Sequence, residues 1–570
     1  MIAVMKANDI HHVVTSPGAT NVTFVGSIQN DPFFELYSCV DERSAAYMAT
    51  GLAAETMHPV VLSCTGATSS RNYMPALTDA YYRHLPVLVV TSSQRLSRVG
   101  QLVAQVTDRS TPPADTVVKS FQIDTVESSD GEAHAVIQAN EAVSRLSLNG
   151  GGPVHVNLIT VYSRDFSVRH LPPTRILHRV DRGMEFPPLP QGRIAIFVGS
   201  HKRFTDEDTN TIDAFCSTND AVVFCDAASN YYGRYRIQFA LPLAQENYDS
   251  SFMYPDLLIH IGEITGDYTA GRLAHKEVWR VSEDGTYRDF FHCLTHLFNM
   301  SEREFFSHYA ASGTGNHSYL DACRTEYEIT ASKIPELPFS NGWIAHHTAH
   351  LIPAGSHVQL GILNSLRHWN FFPFTDGVTS QVNVGGFGID GCVSSLVGAS
   401  LVHPDKLYFG IFGDLAFFYD INVIASASIN NNLRIMVINN GKGTEFRNYN
   451  HIAQIFGDDA DKYMAAAGHF GNKSQQLLRH AAENCGFEYL TASNKQEYLT
   501  AAERWLIPEV TDRPMLFEVF TDSKDENVAL YTLCHIRSSK NYVLKHKVKI
   551  FAKGILGEGG VRVVKNLLDK

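Results

Sequence analysis

The chain has 570 residues, 44% hydrophobic and 19% charged, so it is long enough for several globular domains and has the composition of a soluble protein. Its net charge of −12 argues against general nucleic-acid binding, and no apolar run approaches the roughly 20 residues of a membrane-spanning helix. The nine cysteines lack paired spacing, which indicates reduced thiols and a cytoplasmic location rather than disulfides or zinc.

The N-terminal segment has the pattern of an α/β unit. It begins MIAVMKANDIHH, without a basic region followed by an apolar core, so no secretory signal is expected. A Ser16-Pro17-Gly18 turn precedes Asp41-Glu42, which leads into a helix-compatible stretch, and an apolar strand is predicted over 59–64. Taken alone, Glu42 is also consistent with a surface acid that opens a helix, where negative charge is favourable.

Proline-rich connectors separate three predicted α/β segments, because Pro172-Pro173 and Pro187-Pro188 cannot continue a helix or a central strand. The predicted fold class is α/β, with three consecutive doubly wound parallel-sheet domains. The predicted boundaries are 1–163 for the first domain, 164–191 for a linker, 192–330 for the central domain, 331–340 for a second linker, 341–535 for the third domain and 536–570 for a basic helical tail.

The central domain shows four predicted strands but no ligand motif. The strands are expected at 193–199, 221–226, 256–262 and 277–281. Gly199 and Gly262 end strands, yet neither begins a G-x-G-x-x-G sequence. The sequence therefore favours a central domain without a bound nucleotide.

The third domain carries the most informative pattern. A predicted strand, 406–412, leads into Gly413-Asp414 and a helix-compatible stretch, and a second strand, 433–438, ends in Asn439-Asn440-Gly441. In a parallel sheet, Asp414 and Asn440 would lie at strand carboxyl ends, where such sheets bind ligands. Their oxygens suit Mg²⁺, and the amides of Leu415 and Ala416 could bind a diphosphate. An ordinary strand–turn–helix is the alternative.

This Gly-Asp…Asn-Asn arrangement resembles the diphosphate-binding motif of thiamin diphosphate (ThDP) enzymes. The N-terminal residues Pro17-Gly18, Glu42 and Asn72, with Thr65-Gly66 between them, resemble the pyrimidine-binding domain of that superfamily. The resemblance extends to about residue 530 and is greatest toward the menaquinone-pathway synthases that join 2-oxoglutarate to isochorismate. In the superfamily, the central domain sometimes binds FAD or a nucleotide and sometimes nothing.

The resemblance implies a role for each matching residue. Glu42 would be catalytic through a hydrogen bond to N1′ of the aminopyrimidine, and Gln105 would be catalytic by handling substrate and intermediates. Asp414, Asn440 and the carbonyl of Lys442 would bind Mg²⁺. The expected cofactor-binding residues are Pro17, Gly18, Glu42, Asn72, Ser365, Gly388, Ile389, Gly413, Asp414, Leu415, Ala416, Asn440, Lys442 and Gly443, with Ile389 as the apolar wedge under ThDP.

Departures from the synthase pattern concern substrate binding. Thr20, Val384 and Trp369 stand where the synthases have arginines. Arg367, His368 and Lys442 remain as cations expected to be available to a substrate anion. Because loss of paired arginine contacts changes specificity, we expect that this chain does not catalyse the menaquinone reaction.

The expected function is ThDP- and Mg²⁺-dependent decarboxylation of a 2-oxo acid, with carboligation of the resulting enamine to an aldehyde, ketone or enone acceptor. The alternatives are C–C bond cleavage, simple non-oxidative decarboxylation and, in another class, a non-catalytic scaffold. The resemblance also implies a homodimer or dimer of dimers, with active sites at the subunit interface. Its partners would be the small-molecule donor and acceptor, without nucleic acid.

The C-terminal tail is basic, with nine Lys or Arg against two acids from Arg537 to Lys570. Leu544, Val548, Phe551 and Ile555 recur at helical spacing among lysines, which predicts an amphipathic helix. Such a helix could cover the active site. Alternatively, it could make a peripheral contact with an anionic membrane surface.

Overall fold

The computed structural model describes residues 1–250, 253–274, 276–310, 317–469 and 473–538. Its contacts divide the chain into two compact units. The first contains Met1–Phe186 and Asp284–Asn299, and the second contains Pro187–Glu283 and the residues from Met300 onward. The predicted helix of the basic tail lies outside the described residues. Within the described ranges, no helix combines the length and apolar character needed to cross a membrane.

The strands are short, and those of the first and third sheets all pair in parallel. In chain order they are β1 His12–Thr15, β2 Glu35–Ser38, β3 Val60–Thr65, β4 Val87–Ser93, β5 Lys119–Ile123, β6 Val154–Ile159, β7 His178–Asp181, β8 Ile194–Val198, β9 Val222–Cys225, β10 Arg236–Gln238, β11 Leu257–Ile261, β12 Glu277–Val281, β13 Leu294–Asn299, β14 His357–Leu360, β15 Thr379–Val382, β16 Tyr408–Gly413, β17 Leu433–Asn439, β18 Glu488–Ala492 and β19 Met515–Phe520. The strands predicted in the three domains are present, each within two residues of its expected bounds.

Helices alternate with the strands. They are α1 Ile2–Ala7, α2 Val22–Ile28, α3 Glu42–Thr56, α4 Thr68–Asn72, α5 Met74–Tyr82, α6 Ser129–Ser144, α7 Asp206–Asn219, α8 Ala240–Leu243, α9 Glu302–Tyr309, α10 Ser318–Ala331, α11 Asn341–Thr348, α12 Asn364–Trp369, α13 Cys392–Ser400, α14 Asp414–Tyr419, α15 Ala460–Tyr463, α16 Leu477–Asn484, α17 Lys495–Trp505 and α18 Ser523–Cys534. Strands alternating with helices confirm the predicted α/β class and its parallel sheets.

The first and third sheets have the same topology. The first sheet has the order β2-β1-β3-β4-β6-β5, and the third has the order β15-β14-β16-β17-β19-β18. Numbered from its own first strand, each sheet therefore reads 2-1-3-4-6-5. In both, the order reverses between the first and third strands of the sheet, and such a reversal point is where open parallel sheets bind ligands.

The third sheet is buried on both faces, as parallel sheets usually are. All seven residues of β17 are buried. Successive residues alternate between two cores, with Met436 and Ile438 in one and Ile435 and Val437 in the other. The strand that leads to the candidate site is therefore packed on both faces.

The central strands of the second unit run in the order β10-β9-β8-β11-β12, which reverses between β8 and β11. At that reversal the loops bond to each other through backbone groups. Ser200 donates to the carbonyl of Ile264 at 3.0 Å, and Glu263 donates to that of Ser200 at 2.8 Å. A Cβ on Gly199 would lie 2.0 Å from the carbonyl oxygen of Glu263, so the two backbones are in direct contact.

Two local expectations need revision. The connector predicted at 164–191 contains β7, which pairs with β13 in the first unit. The helix predicted after Gly413-Asp414 is shorter than its apolar pattern suggested, because α14 ends at Tyr419 and a 3₁₀ turn, Ile421–Ala425, follows. Asp420 lies at this break and accepts bonds from Ser394 N and Oγ, both at 2.6 Å, which holds the chain out of the helix.

Candidate active site

The candidate site of the third sheet lies where the strand order reverses. β14 and β16 are neighbours in the sheet, and their following segments lead into α12 and α14. Asp414 is the first residue of α14, immediately after β16. Asn440 directly follows β17, the next strand in the sheet. The structure therefore brings both predicted metal-binding residues to the same edge of the sheet.

Asp414 is a buried carboxyl group that forms no ion pair with a residue in the described ranges. Its side chain is 6% exposed, and burial raises its pKa to about 7, although the backbone amides of Leu415 and Gly441 act in the opposite direction. Glu518 adds a smaller unfavourable charge interaction. A bound cation would favour the ionised carboxylate, because opposite charge offsets the desolvation cost.

The last residue of β17, Asn439, and the residue after it, Asn440, differ in their hydrogen bonds. Asn439 Nδ2 donates to Glu518 Oε1 at 2.6 Å, and Tyr489 donates to the other oxygen of Glu518 at 2.7 Å. Asn440 Oδ1, by contrast, is buried and has no hydrogen-bond partner among the described residues. A buried oxygen without a donor is costly unless something else binds it. Asp414 and Asn440 therefore fit a hard divalent cation.

The loop after Asn440 is held in place by two contacts. Lys442 Nζ pairs with Asp461 at 2.6 Å, and the amide of Gly443 donates to the carbonyl of Ala465 at 2.6 Å. A Cβ on Gly443 would lie 3.2 Å from the ring of Phe446, which makes a larger residue difficult to accommodate. The loop that contains Lys442, whose carbonyl is an expected metal ligand, is therefore anchored at Lys442 and at Gly443.

A largely buried ion pair, with side chains 15% and 13% exposed, joins α12 to the segment that follows this loop. Arg367 donates to the two oxygens of Glu445 at 2.7 and 2.8 Å and to Asn364 at 3.2 Å. Asn448 donates to Glu445 and Asn364 at 3.1 and 3.0 Å. Ser365, the expected cofactor contact, is the second residue of α12 and is 2% exposed.

Gly388 and Ile389 lie in the loop between β15 and α13. Ile389 is half-buried, and Phe387 two residues earlier has a left-handed backbone with φ of 53°. Asn383 holds the start of the loop through bonds with Gln359 at 3.1 Å and Ser395 at 2.9 Å. The contact between Ile389 and ThDP stays a prediction.

In the first unit, the equivalent reversal point lies between β1 and β3. Pro17-Gly18 follows β1, and a Cβ on Gly18 would lie 2.5 Å from the Cβ of Thr65 at the end of β3. Only glycine permits this approach. Glu42 begins α3 after the N-cap Asp41, and its Oε2 accepts a bond from Asn72 Nδ2 at 3.2 Å. The structure therefore brings two predicted pyrimidine-site residues together.

Gln105 lies apart from regular structure, on an exposed segment between the turn Leu96–Arg98 and β5. Its backbone is left-handed, with φ of 64°. Its catalytic role stays a prediction.

The cations expected to remain available to a substrate are engaged or neutral. Arg367 is paired with Glu445, and Lys442 with Asp461. His368 is 1% exposed, and burial lowers its pKa to about 4. The expectation was therefore wrong. No signal in the sequence identifies the two acidic partners, which lie 78 and 19 residues away from the cations they neutralise.

The three positions that lack the expected arginines are all interior. Thr20 is 6% exposed and bonds with Thr65 and with the carbonyl of Ser92, the latter at 2.8 Å. Val384 is 2% exposed within the core. Trp369 is fully buried, and its indole donates to Asn341 at 3.0 Å. These side chains therefore contribute packing and structural hydrogen bonds, without positive charge.

Comparison with known proteins identifies the superfamily. The family model "Thiamine pyrophosphate enzyme, N-terminal TPP binding domain" matches residues 1–111. A 2-succinyl-5-enolpyruvyl-6-hydroxy-3-cyclohexene-1-carboxylate synthase of Bacteroides thetaiotaomicron is 27% identical over 557 residues, covering 93% of this chain and 96% of the relative. The synthase of the same name from Desulfotalea psychrophila is 27% identical over 472 residues, covering 77% and 84%.

Among solved structures, the thiamine diphosphate-dependent 4-hydroxybenzoylformate decarboxylase of Rhodococcus jostii RHA1 covers 91% of this chain and 98% of its own, with 17% identity and a TM-score of 0.40. The cofactor implied by the family is thiamin diphosphate with a divalent metal, which the donor set of Asp414 and Asn440 fits. The chain is a member of the thiamin diphosphate-dependent enzyme superfamily, related to the 2-succinyl-5-enolpyruvyl-6-hydroxy-3-cyclohexene-1-carboxylate synthases.

Proposed function

We propose that this enzyme decarboxylates a 2-oxo acid and joins the product to an acceptor by carboligation, in the cytoplasm. The observation that carries the proposal is the pair formed by a buried Asp414 and the unpartnered Oδ1 of Asn440 at adjacent strand ends. Carboligation is supported by the relatives, which are named as synthases and are similar to this chain over nearly its whole length.

The third domain would hold the diphosphate end of the cofactor. Asp414, Asn440 and the carbonyl of Lys442 would bind Mg²⁺, while the amides of Leu415 and Ala416 would donate to the diphosphate. Gly413 and Gly443 would permit close approach of the backbone, and Ser365, Gly388 and Ile389 would line the remaining wall. When bound, ThDP supplies the electron sink for decarboxylation.

Glu42 would control the proton at N1′ of the aminopyrimidine. Its carboxylate already accepts a bond from Asn72 at 3.2 Å, which orients one oxygen and leaves the other for the cofactor. Pro17 and Gly18 would form the neighbouring wall. Gln105 would contact the substrate, on the exposed segment where it lies.

We propose that the complete site forms between two subunits of a homodimer or a dimer of dimers. Glu42 would come from the first domain of one subunit, and Asp414 from the third domain of its partner. In this arrangement the two residues would bind opposite ends of one cofactor. The domain boundaries predicted above, 1–163, 192–330 and 341–535, are part of this proposal.

The acceptor would differ from isochorismate. Thr20, Val384 and Trp369 supply no charge, and Arg367 and Lys442 are already paired with acids. A dianionic acceptor would therefore lack the arginine contacts that bind two carboxylates. Monoanionic or neutral aldehydes, ketones and enones fit this reduced charge better.

The proposal is tested by measuring CO₂ release from a panel of 2-oxo acids, with and without aldehyde, ketone and enone acceptors. We expect release that requires both ThDP and Mg²⁺, together with a new C–C bond when an acceptor is present. CO₂ release without a new C–C bond in the presence of an acceptor would indicate simple decarboxylation. Absence of turnover with every donor, despite bound ThDP, would contradict the proposal.

A further inference from the structure

The first unit contains a cavity that none of the roles above uses. Its volume is about 70 Å³, and it lies between β4, the α4–α5 region and the segment 108–113. The lining combines apolar side chains with a few polar ones, chiefly Met74, Leu77, Val89, Thr91, Arg109 and His155. An apolar cavity with a few precisely placed polar groups is typical of a small-molecule site.

Arg109 is the unusual member of this lining. The residue is only 9% exposed, and Nη2 donates to Asn157 Oδ1 at 2.5 Å, whereas Nε and Nη1 are buried and have no partner in the part of the chain that the structure describes. Asn157 is itself fixed by a bond to Gln122 at 2.6 Å. A Cβ on Gly66 would lie 1.7 Å from Arg109 Nη1, so the glycine makes room for the guanidinium.

The surroundings of Arg109 contain a second positive charge and one negative charge. Arg71 also lines the cavity and acts as a second positive charge near it. Asp108 supplies one negative charge nearby, and its Oδ1 accepts bonds from the amide and hydroxyl of Ser110 at 2.9 and 2.7 Å. Since arginine stays protonated in proteins, the guanidinium groups of Arg71 and Arg109 outweigh the single carboxylate of Asp108, and the lining carries a net positive charge.

His155 does not add charge. Its ring nitrogens are engaged by Thr91 Oγ1 at 2.7 Å and Ser120 Oγ at 2.8 Å. Burial, with a contribution from Arg109, lowers its pKa to about 3, so the ring is neutral. The cavity is therefore suited to an anion through Arg109 and to an apolar group through Met74 and Leu77.

We propose that this cavity is a binding site for a small organic monocarboxylate, whose carboxylate accepts hydrogen bonds from the buried guanidinium of Arg109. One water molecule, with its single non-hydrogen atom, needs roughly 10–15 Å³ of cavity volume. A cavity of about 70 Å³ therefore holds about five non-hydrogen atoms, which is the size of a three-carbon acid. The cavity residues Arg71 and Met74 lie on either side of Asn72, the partner of Glu42, so a ligand here would adjoin the pyrimidine site.

The test is binding of propionate and its neutral isostere propionamide to the ThDP–Mg²⁺ holoenzyme, followed by saturation-transfer NMR. Neither compound is a 2-oxo acid, so the result does not depend on turnover or on the proposed function. We expect propionate to bind at least tenfold more tightly than propionamide, because hydrogen bonds to charged groups are the stronger ones. Arg109→Gln should weaken propionate binding by about tenfold or more.

A second variant separates binding from folding. Thr111 is an exposed residue of the lining, so Thr111→Trp should obstruct the cavity with Arg109 intact and remove propionate binding. Arg83→Gln is the matched control, since Arg83 is exposed and pairs with Asp79 at 2.9 Å outside the cavity. Equal binding of propionate and propionamide, or undiminished propionate binding in Thr111→Trp, would overturn the proposal.

Discussion

At the residue scale, Glu42 combines two properties that a proton-handling group needs. It stands at the start of α3, half-buried, and one of its oxygens accepts a bond from Asn72. Glu42→Gln should therefore keep the fold and bind ThDP but lose about 10²- to 10⁴-fold in turnover, because an amide cannot take up the proton at N1′. Turnover and H/D exchange at ThDP C2 measure the effect.

The matched control for Glu42→Gln is Glu55→Gln, which changes an exposed acid on the same helix. Its turnover should equal that of the wild type. Normal C2 exchange in Glu42→Gln would exclude Glu42 from the proton step.

Asp414 should govern cofactor retention. Asp414→Asn removes the negative charge of a proposed metal ligand, so the Kd for ThDP in the presence of Mg²⁺ should rise by at least about tenfold, the loss expected for a hydrogen-bonded charge. Isothermal titration gives the Kd. Asp405→Asn, an exposed acid before β16, is the control and should bind ThDP normally. Unchanged binding by Asp414→Asn would show that the metal is held elsewhere.

The sequence was sufficient to place Asp414 and Asn440 at the ends of neighbouring strands, because the apolar strands and the residues that follow them are visible in the residue pattern. It was insufficient for Arg367 and Lys442, which seemed available to a substrate. Whether a cation is available depends on its partner in space, and Glu445 and Asp461 are brought to these cations only by the fold. The unpartnered nitrogens of Arg109 escaped prediction for the same reason.

At the element scale, Glu526 of α18 connects two helices. Both of its oxygens accept from the amide of Asn341, the first residue of α11, at 3.0 Å. Burial raises its pKa to about 7. Because the folded state holds this proton more tightly than the unfolded state, its contribution to stability is complete below about pH 4.5 and is lost as the pH rises through about 7.

Glu526→Gln should remove this contribution to the pH dependence of stability. The amide cannot ionise, so the fall in thermal midpoint between pH 5 and pH 8 should be smaller in the variant than in the wild type. Glu503→Gln, an exposed change on α17, should follow the wild-type profile. Parallel profiles for Glu526→Gln and the wild type would contradict the assigned pKa.

The ion pair between α12 and the segment after β17 should be a strong structural contact. Glu445→Gln leaves the guanidinium of Arg367 buried without its counter-charge, which should cost about 3–5 kcal/mol in the free energy of unfolding. The double change Arg367→Met with Glu445→Leu should recover most of this loss, since the unpaired charge is gone. Urea unfolding gives the free energy of unfolding of Glu445→Gln and of the double variant. Equal values would contradict a stabilising role for this ion pair.

The short edge strands show why some elements were not predicted. β7 has the sequence HRVD and β10 has RIQ, so neither presents the apolar run of a central strand. Their pairing with β13 and β9 defines them instead. The early end of α14 likewise depends on a distant contact, that of Asp420 with Ser394.

At the scale of the whole molecule, the first and third sheets share the strand order 2-1-3-4-6-5. The repeated topology was not visible in the sequence, because the residues at the two reversal points differ. One reversal point carries Pro17-Gly18 and Thr65, and the other carries Asp414.

The substrate prediction also belongs to this scale. The enzyme should neither consume isochorismate nor be inhibited by it at moderate concentration, because Thr20, Val384 and Trp369 offer no arginine contacts. Incubation with isochorismate, 2-oxoglutarate, ThDP and Mg²⁺ tests this by product analysis. Efficient formation of the succinylated product would show that these interior substitutions do not determine the acceptor.

The most direct test of the proposed site is subunit complementation between Glu42→Gln and Asp414→Ala. Each variant alone should show almost no H/D exchange at ThDP C2. After the two are unfolded and refolded together in equal amounts, half of randomly formed dimers are mixed, and each mixed dimer contains one site with both native residues. We predict recovery of about one quarter of the wild-type exchange, in keeping with a proton step that requires the glutamate. No recovery, or full exchange by either variant alone, would contradict a site built from Glu42 of one subunit and Asp414 of its partner.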